Sequence, residues 1–284
     1  MSAEISDRTT VGQVQLTVSD LDRSLEYYRT AIGLDVRERA NGYAELGTSG
    51  RRLLVLDEIP GAKPAYGHTG LYHFALLLPA RAELARWLAH ASRDQVALVG
   101  LSDHFVSEAI YLSDPDGHGI EIYCDRPREI WEGQVFERLT TMPLDVGNLL
   151  AELPDPASEP FEGLPDGTVM GHVHLKVAAI PDTVAFYRDV VGFVLMAQLG
   201  EQAVFLSAGR YHHHLGANTW ESAGAPPPPE GTAALQHATI VLPDTAGRDR
   251  VLARLDEARY AREETDDGPR VRDPSGNALV LEVA

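Results

Sequence analysis

Hydrophobic and polar positions follow two regular periods in the first part of the chain. Residues 14–18 alternate with the period of two that is typical of a half-buried strand. Apolar side chains then recur at the spacing of one helix face, at Leu21, Leu25, Tyr28 and Ile32. Gly33 ends this predicted helix, and further strands are predicted around 43–46 and 52–56. The pattern predicts a module of one strand, one helix and three more strands.

The same pattern recurs along the chain. Residues 14–18 align with 173–177, a shift of 159 positions, and the helix and its glycine turn recur at the same shift. Two further units open at the similar segments 72–79 and 236–243 and close on Asp-Pro-x-Gly turns, in which proline sets φ and glycine accepts a positive φ. The sequence therefore predicts four βαβββ modules, at residues 10–58, 70–125, 169–220 and 234–284.

The spacing of the modules divides the chain into two halves. We expect a first pair of modules within residues 1–128, a connector at 129–168 and a second pair within 169–284. The connector holds apolar residues, including Trp131 and Phe136, and is expected to pack in part as short helices over the modules.

Composition excludes several classes of function. The formal net charge of −18 repels phosphate backbones and anionic lipid, so we expect no binding to nucleic acid or membranes. No apolar stretch approaches the roughly 18 residues of a membrane span. The N-terminal residues lack the pattern of a secretory signal, and the single cysteine, Cys124, has no internal partner for a disulfide. These features predict a cytoplasmic protein.

Several motifs resemble those of one known superfamily. DPDGHGIE at 114–121 and GHVHLKV at 171–177, set in four βαβββ modules, resemble the vicinal-oxygen-chelate superfamily, which includes glyoxalase I, extradiol dioxygenases and bleomycin-resistance proteins. The segments 70–75, 106–117 and 211–216 are similar to its two-domain bacterial catechol-2,3-dioxygenase-like branch. This resemblance implies an α+β fold in which pairs of modules curl into two half-open mixed β-barrels.

The resemblance also implies metal ligands on the first and last strands of the modules. The first strands offer Gln13, His73, His172 and His237, and the last strands offer Val55, Glu121, His214 and Val280. If neighbouring modules pair, two weak sites result: Gln13, Val55, His73 and Glu121 in one, and His172, His214 and His237 with Glu282 in the other. If module two pairs with three and module one with four, one barrel collects the good ligands: His73, Glu121, His172 and His214.

We favour the second pairing, with His73, Glu121 and His172 as the metal ligands. Glu121 lies in an otherwise apolar strand, where a buried carboxylate must be paired or bound to a cation. Two histidines and one carboxylate leave open positions on Fe(II). Such a site also accepts Mn²⁺, Ni²⁺ or Zn²⁺.

Three consecutive histidines are expected on the last strand of module three. Strand alternation turns His212 and His214 to one face and His213 to the other. The corresponding strand of extradiol dioxygenases carries a histidine that moves protons, so we assign this catalytic role to His212 or His214. We expect Tyr211 and His213 to orient the substrate from the rim. The alternative is a row of surface histidines. His104 is a further candidate pocket residue, with a position in a surface turn as its alternative because its surroundings are loop-like.

These features together predict an Fe(II)-dependent extradiol dioxygenase that cleaves a catechol or hydroquinone-like aromatic diol with O₂. Two alternatives use the same fold: a glyoxalase-like lyase or isomerase with a redox-silent divalent metal, and a metal-free protein that binds small molecules. Oxygen consumption distinguishes ring cleavage from the lyase or isomerase reaction. Metal content distinguishes both enzymes from the metal-free binding protein. Exposed strand edges and the resemblance suggest a homodimer.

Overall fold

The computed structural model describes residues 4–284. Module one contains β1 (Thr10–Val18), α1 (Leu21–Tyr27), β2 (Asp35–Ala40), β3 (Tyr43–Thr48) and β4 (Arg51–Glu58). Module two contains β5 (Gly70–Leu77), α2 (Arg81–Arg93), β6 (Gly100–Asp103), β7 (Ser107–Ser113) and β8 (Gly119–Asp125). The connector contains α3 (Arg128–Trp131), α4 (Val135–Arg138), β9 (Met142–Pro143) and α5 (Val146–Leu150). Trp131 is buried, as a packed connector requires, whereas Phe136 is exposed.

The second half repeats this order of elements. Module three contains β10 (Val169–Lys176), α6 (Ile180–Val184), β11 (Val194–Leu199), β12 (Ala203–Ser207) and β13 (Leu215–Asn218). Module four contains β14 (Leu235–Leu242), α7 (Thr245–Glu257), β15 (Arg262–Thr265), β16 (Gly268–Arg272) and β17 (Ala278–Val283). In modules one and three the helix continues into a π-helical segment that ends at a glycine with positive φ, Gly33 or Gly192. The predicted α+β fold of four βαβββ modules is confirmed.

The strands form two mixed sheets, and each sheet takes one module from each half of the chain. The first sheet has the order β15-β16-β17-β14-β1-β4-β3-β2 and combines modules one and four. The second sheet has the order β11-β12-β13-β10-β5-β8-β7-β6-β9 and combines modules two and three. The favoured pairing is therefore the one that the strands adopt. The division into domains at 1–128 and 169–284 stays a prediction.

Hydrogen bonds between consecutive modules join the two sheets. The Tyr28 hydroxyl donates to Asp114 at 2.9 Å, and the Tyr187 hydroxyl, at the same place in the repeat, donates to Asp273 at 3.0 Å. Each aspartate opens an Asp-Pro-x-Gly turn and also accepts two backbone N–H groups of its own turn. His118, in the first of these turns, contacts the carbonyl of Thr17 in the other sheet at 2.9 Å. The turns therefore position both β8 and β17.

Apolar side chains from both sheets and from the helices form one large core. Its largest buried side chains include Trp87, Tyr28, Tyr187, Phe74 and Phe186. Within residues 4–284, no helix combines the length and the hydrophobicity that are needed to cross a membrane.

Candidate metal centre

Three neighbouring strands of the second sheet carry the predicted ligands. His73 lies on β5, Glu121 on β8 and His172 on β10. β5 occupies the centre: it pairs parallel to β8, with Ala75 opposite Glu121, and antiparallel to β10, with His172 opposite Ala75. Because side chains alternate along each strand, this register turns all three residues to the same face of the sheet. Residues that are far apart in sequence thus meet.

The three side chains are buried and close together. His73 Nε2 and His172 Nε2 lie 3.0 and 3.1 Å from Glu121 Oε2. One ligand atom from each residue lies within 4.8 Å of the other two, and among the described residues this is the group that could hold a metal ion. His73 Nε2 has no hydrogen-bond partner of suitable geometry within the described chain. A buried nitrogen that approaches a carboxylate without a hydrogen bond fits a shared cation between them.

The electrostatics of the cluster suit metal binding. Burial by itself raises the pKa of the Glu121 carboxyl, but the His172 and His73 imidazoles outweigh it and hold that pKa well below its ordinary value. Burial lowers the pKa of His172, although Glu121 opposes this shift. The cluster is therefore set to hold an ionised carboxylate beside a neutral His172 imidazole, which are the protonation states that metal ions require.

Strand register identifies the position in module three that matches Glu121. Glu121 pairs with the residue two after His73, and the residue two after His172 is His174, which pairs with Gly216. The matching position is thus Gly216, and the sequence-based choice of His214 was wrong by two residues. A Cβ atom at Gly216 would lie 2.7 Å from His174 Nδ1, so the His174 ring occupies the space of a fourth side chain. The protein thus offers three ligands and has no ligand side chain at the position that matches Glu121.

His174 is a site residue that the sequence reasoning missed. It lies directly across from His73 in the β5–β10 ladder, with the two rings 5.0 Å apart. It is buried and lines the cavity described below, and its Nε2 has no hydrogen-bond partner among residues 4–284. Burial and the neighbouring imidazoles hold its pKa well below the ordinary value. The signal was present in the sequence, since residues two apart on a strand face the same way.

A cavity of about 560 Å³ opens in front of this cluster. Its walls include His73 and Glu121, together with Tyr111, His104 and His213. Tyr111 lies opposite Glu121 in the β7–β8 ladder, and its hydroxyl is 2.7 Å from His104 Nε2. Burial, followed by the charge of Glu121, raises the pKa of Tyr111 well above its ordinary value, so this hydroxyl stays protonated. His104 therefore lies in the cavity wall, where its role as a pocket residue stays a prediction, and Tyr111 is a second residue that the sequence analysis did not name.

The three consecutive histidines do not lie on a strand. They lie in the loop before β13, where the His214 backbone donates to the Leu206 carbonyl and accepts from the Val173 N–H, whereas His212 and His213 belong to no strand, so the alternation expected for a strand does not extend to those two. His213 is the one that lines the cavity, with its ring 4.1 Å from that of His172. His212 lies behind it, with Nε2 2.8 Å from Asp125 Oδ1 and Nδ1 2.9 Å from His213 Nδ1.

Two other predicted residues lie outside the lining of the cavity. His214 accepts a hydrogen bond from the backbone N–H of Ala208 at its Nδ1. The Tyr211 hydroxyl donates to Asp125 at 3.0 Å and contacts the Tyr123 hydroxyl at the same distance. Both residues therefore support the wall behind His213.

The alternative ligand sets are not assembled. Gln13 and His237 lie on β1 and β14 of the first sheet, away from His73 and His172, and Glu282 lies on β17 of that same sheet. The positions in modules one and four that match Glu121 are Val55 and Val280. The first sheet thus repeats the architecture of the second without its carboxylate at that position.

Comparison with known proteins agrees with this architecture. The family model described as the Glyoxalase/Bleomycin resistance protein/Dioxygenase superfamily matches residues 10–122 and 169–281. The chain belongs to this superfamily. It is 44% identical to the catechol-2,3-dioxygenase of Bacillus subtilis (strain 168), over 97% of this chain and 98% of that protein. Homology to an extradiol dioxygenase implies a metal, and the cluster of His73, Glu121 and His172 is a possible site for it.

Two solved structures show the superfamily fold at low sequence identity. A protein of Bacillus subtilis subsp. subtilis str. 168 superposes with a TM-score of 0.66 at 14% identity, over 99% of this chain and 86% of that chain. Glyoxalase I from Zea mays superposes with a TM-score of 0.58 at 16% identity, over 96% of this chain and 92% of that one. These likenesses concern the fold alone, so the function must be argued from the site.

Proposed function

We propose that this protein is an extradiol dioxygenase that opens the ring of a catechol or hydroquinone-like diol with O₂. The observation that carries the proposal is the ligand set: two imidazoles and one carboxylate converge in a buried site whose fourth side, at Gly216, offers no ligand. Such a face leaves positions free on Fe(II) for further ligands. The 44% identity to a catechol-2,3-dioxygenase supports the same reaction.

We propose His73, Glu121 and His172 as the residues that hold the iron. Bound there, Fe(II) supplies a Lewis acid and a redox-active centre for the diol and O₂. Two neutral imidazoles and one carboxylate leave one formal positive charge on Fe(II), which a catechol monoanion balances.

The contacts of the histidine loop favour His213 as the residue that moves the proton. Because a carboxylate only accepts hydrogen bonds, Asp125 requires the proton of His212 on Nε2, which leaves His212 Nδ1 as an acceptor. His213 Nδ1 then donates to it, so His213 Nε2 keeps a free lone pair. Burial and the neighbouring histidines hold the pKa of His213 well below its ordinary value, so the ring is neutral and its Nε2 is able to accept a hydrogen bond from a diol hydroxyl.

We assign a positioning role to Tyr111 and His104. The protonated Tyr111 hydroxyl lies in the wall beside Glu121 and donates its proton to His104 Nε2 at 2.7 Å, because His104 Nδ1 donates to the carbonyl of Thr140. The Tyr111 oxygen is thus left as an acceptor, which orients a diol hydroxyl beside the metal centre. His104 is itself held by the carbonyl of Thr140, 2.7 Å from its Nδ1.

The glyoxalase-like alternative uses the same fold, and an oxygen electrode distinguishes the two reactions. We expect protein reconstituted anaerobically with Fe(II) to consume one O₂ for each catechol, and protein loaded with Zn²⁺ or Ni²⁺ to consume none. Isomerisation of a glutathione hemithioacetal without oxygen uptake would overturn the proposal in favour of glyoxalase chemistry. Purified, folded protein that retains no transition metal after incubation would favour a binding protein instead. The homodimer and the cytoplasmic location stay predictions.

A further inference from the structure

We infer that the diol bound in this cavity carries a neutral, apolar substituent, an alkyl or aryl group, which lies against a rim formed by Tyr66, Val99, Leu199 and Trp220. This inference deepens the proposed dioxygenase function and rests on it. We call these four residues the apolar rim.

The size of the cavity is the first observation. Its volume of about 560 Å³ falls in the range, roughly 300–1,000 Å³, of pockets that enclose drug-sized ligands. A single ring with two hydroxyl groups fills only a small part of that space. The walls between the metal ligands and the rim are largely apolar, with Leu71, Leu112, Ile120, Leu139 and Phe205 among the lining residues. An apolar substituent on the diol would displace water from this space and bury apolar surface on both sides.

The exposure of the rim is the second observation. Tyr66 and Val99 are 75% and 72% exposed, and Leu199 and Trp220 are each 48% exposed, although all four are large hydrophobic residues. They come from modules two and three and from the connection before β5, yet all four line this one cavity. Clustered, exposed apolar side chains mark a binding surface.

An aromatic wall joins the rim to the metal centre. The Trp220 ring lies 5.4 Å from Tyr72 and 5.8 Å from His174. The His174 ring in turn lies 5.0 Å from that of the ligand His73. These rings meet edge to face or tilted and form a continuous aromatic wall. A substrate whose hydroxyls point to the metal ligands would thus extend along this wall to Trp220, which suits an aryl or alkyl group.

The charges near the rim argue for a neutral substituent. Lys176 and Glu221 both line the cavity, next to the aromatic wall. Burial lowers the pKa of Lys176, and the nearby Glu221 carboxylate opposes that shift. Since these opposite charges offset each other, they offer no net charge to a substituent that carries a carboxylate.

The test compares catechols that differ only in their substituent. With the Fe(II)-loaded full-length protein, kcat/KM is measured by oxygen uptake for catechol, 3-phenylcatechol, 4-phenylcatechol and protocatechuate, which carries a carboxylate. We expect at least one phenylcatechol to exceed catechol about tenfold and protocatechuate to fall below it. Anaerobic calorimetry of the same compounds should give the same order of affinity.

Variants locate the effect. We expect Trp220→Ala to lower the ratio of kcat/KM for the phenylcatechol to that for catechol at least about fivefold. The matched control is Phe136→Ala, which removes an exposed aromatic ring outside the cavity lining and should leave this ratio unchanged. Equal efficiency for catechol and both phenylcatechols would overturn the inference while leaving the dioxygenase function intact. An unchanged ratio in Trp220→Ala, accompanied by loss of a dimer, would assign the rim to subunit contact instead. Absence of oxygen uptake with every diol would refute the proposed function itself.

Discussion

Replacing Glu121 with glutamine tests whether the buried carboxylate binds a metal. Glutamine keeps the size and removes the charge of a side chain that is only 2% exposed. At about 3 Å, the spacing of the ligand atoms in this cluster, a carboxylate and one unit of a bound cation's charge attract by about 5 kcal/mol at an effective dielectric constant of about 20. If the loss of the negative charge removes only half of this energy, metal affinity falls about 100-fold.

This loss of affinity can be measured as a shift in thermal stability. Metal at about 100 times its dissociation constant stabilises the wild-type protein by about 2.7 kcal/mol, which raises Tm by about 5 °C for a chain of this size. At the same concentration Glu121→Gln should gain only about 0.4 kcal/mol, or less than about 1 °C. The assay is differential scanning fluorimetry with and without Mn²⁺, an air-stable probe. The metal-dependent difference in Tm is compared, because the substitution itself also changes the stability of the metal-free protein.

Glu108→Gln is the matched control for this experiment. Glu108 is a similarly buried carboxylate, but it pairs with Arg81 and Arg126 and lies outside the cluster. This variant should lose stability and keep the full metal-dependent rise in Tm. If metal raises the Tm of Glu121→Gln as much as it raises that of the wild-type protein, the assignment of Glu121 as a ligand is refuted.

Three further outcomes are expected from variants elsewhere in the fold. His213→Asn should lower kcat for ring cleavage about 100-fold or more while keeping the metal-dependent rise in Tm, as measured by oxygen uptake and fluorimetry; loss of both would indicate a structural role. Tyr28→Phe and Tyr187→Phe should each lower the free energy of unfolding in urea by about 1.5–3 kcal/mol, since each removes a buried hydrogen bond to an aspartate; unchanged midpoints would contradict this reading of the turns. Burial lowers the pKa of His237 to about 4, so unfolding takes up a proton below the ordinary pKa of 6.5, and the stability conferred by this residue should decline by up to about 3 kcal/mol as the pH falls from 6.5 to 4. His237→Gln should flatten this dependence in urea titrations at several pH values, and the exposed His68→Gln should not.

Local periodicity was enough to predict the elements and part of the site. Two of these patterns are properties of short segments: the alternation along 14–18 and 173–177, and the helical spacing that follows each of them. The structure has strands and helices at these places. The inward orientation of Glu121 followed from a charged residue in an apolar strand, because a buried carboxylate needs a partner. The superfamily resemblance then selected His73 and His172 from the other histidines.

Tertiary structure decided what depends on contacts between distant segments. The pairing of β5 with β10 decides which modules share a sheet. The local sequence pattern is satisfied equally well whether module two pairs with module one or with module three. The match of Gly216 to Glu121, and hence the absence of a ligand side chain at that position, required the register of two strand pairs. Likewise, His213 rather than His214 lines the cavity, because His213 lies in the loop before β13, where side chains do not alternate as they do along a strand. The sequence by itself determined which chemical groups were available and which way each strand turned them; long-range strand pairing, which no local pattern encodes, decided which of them meet.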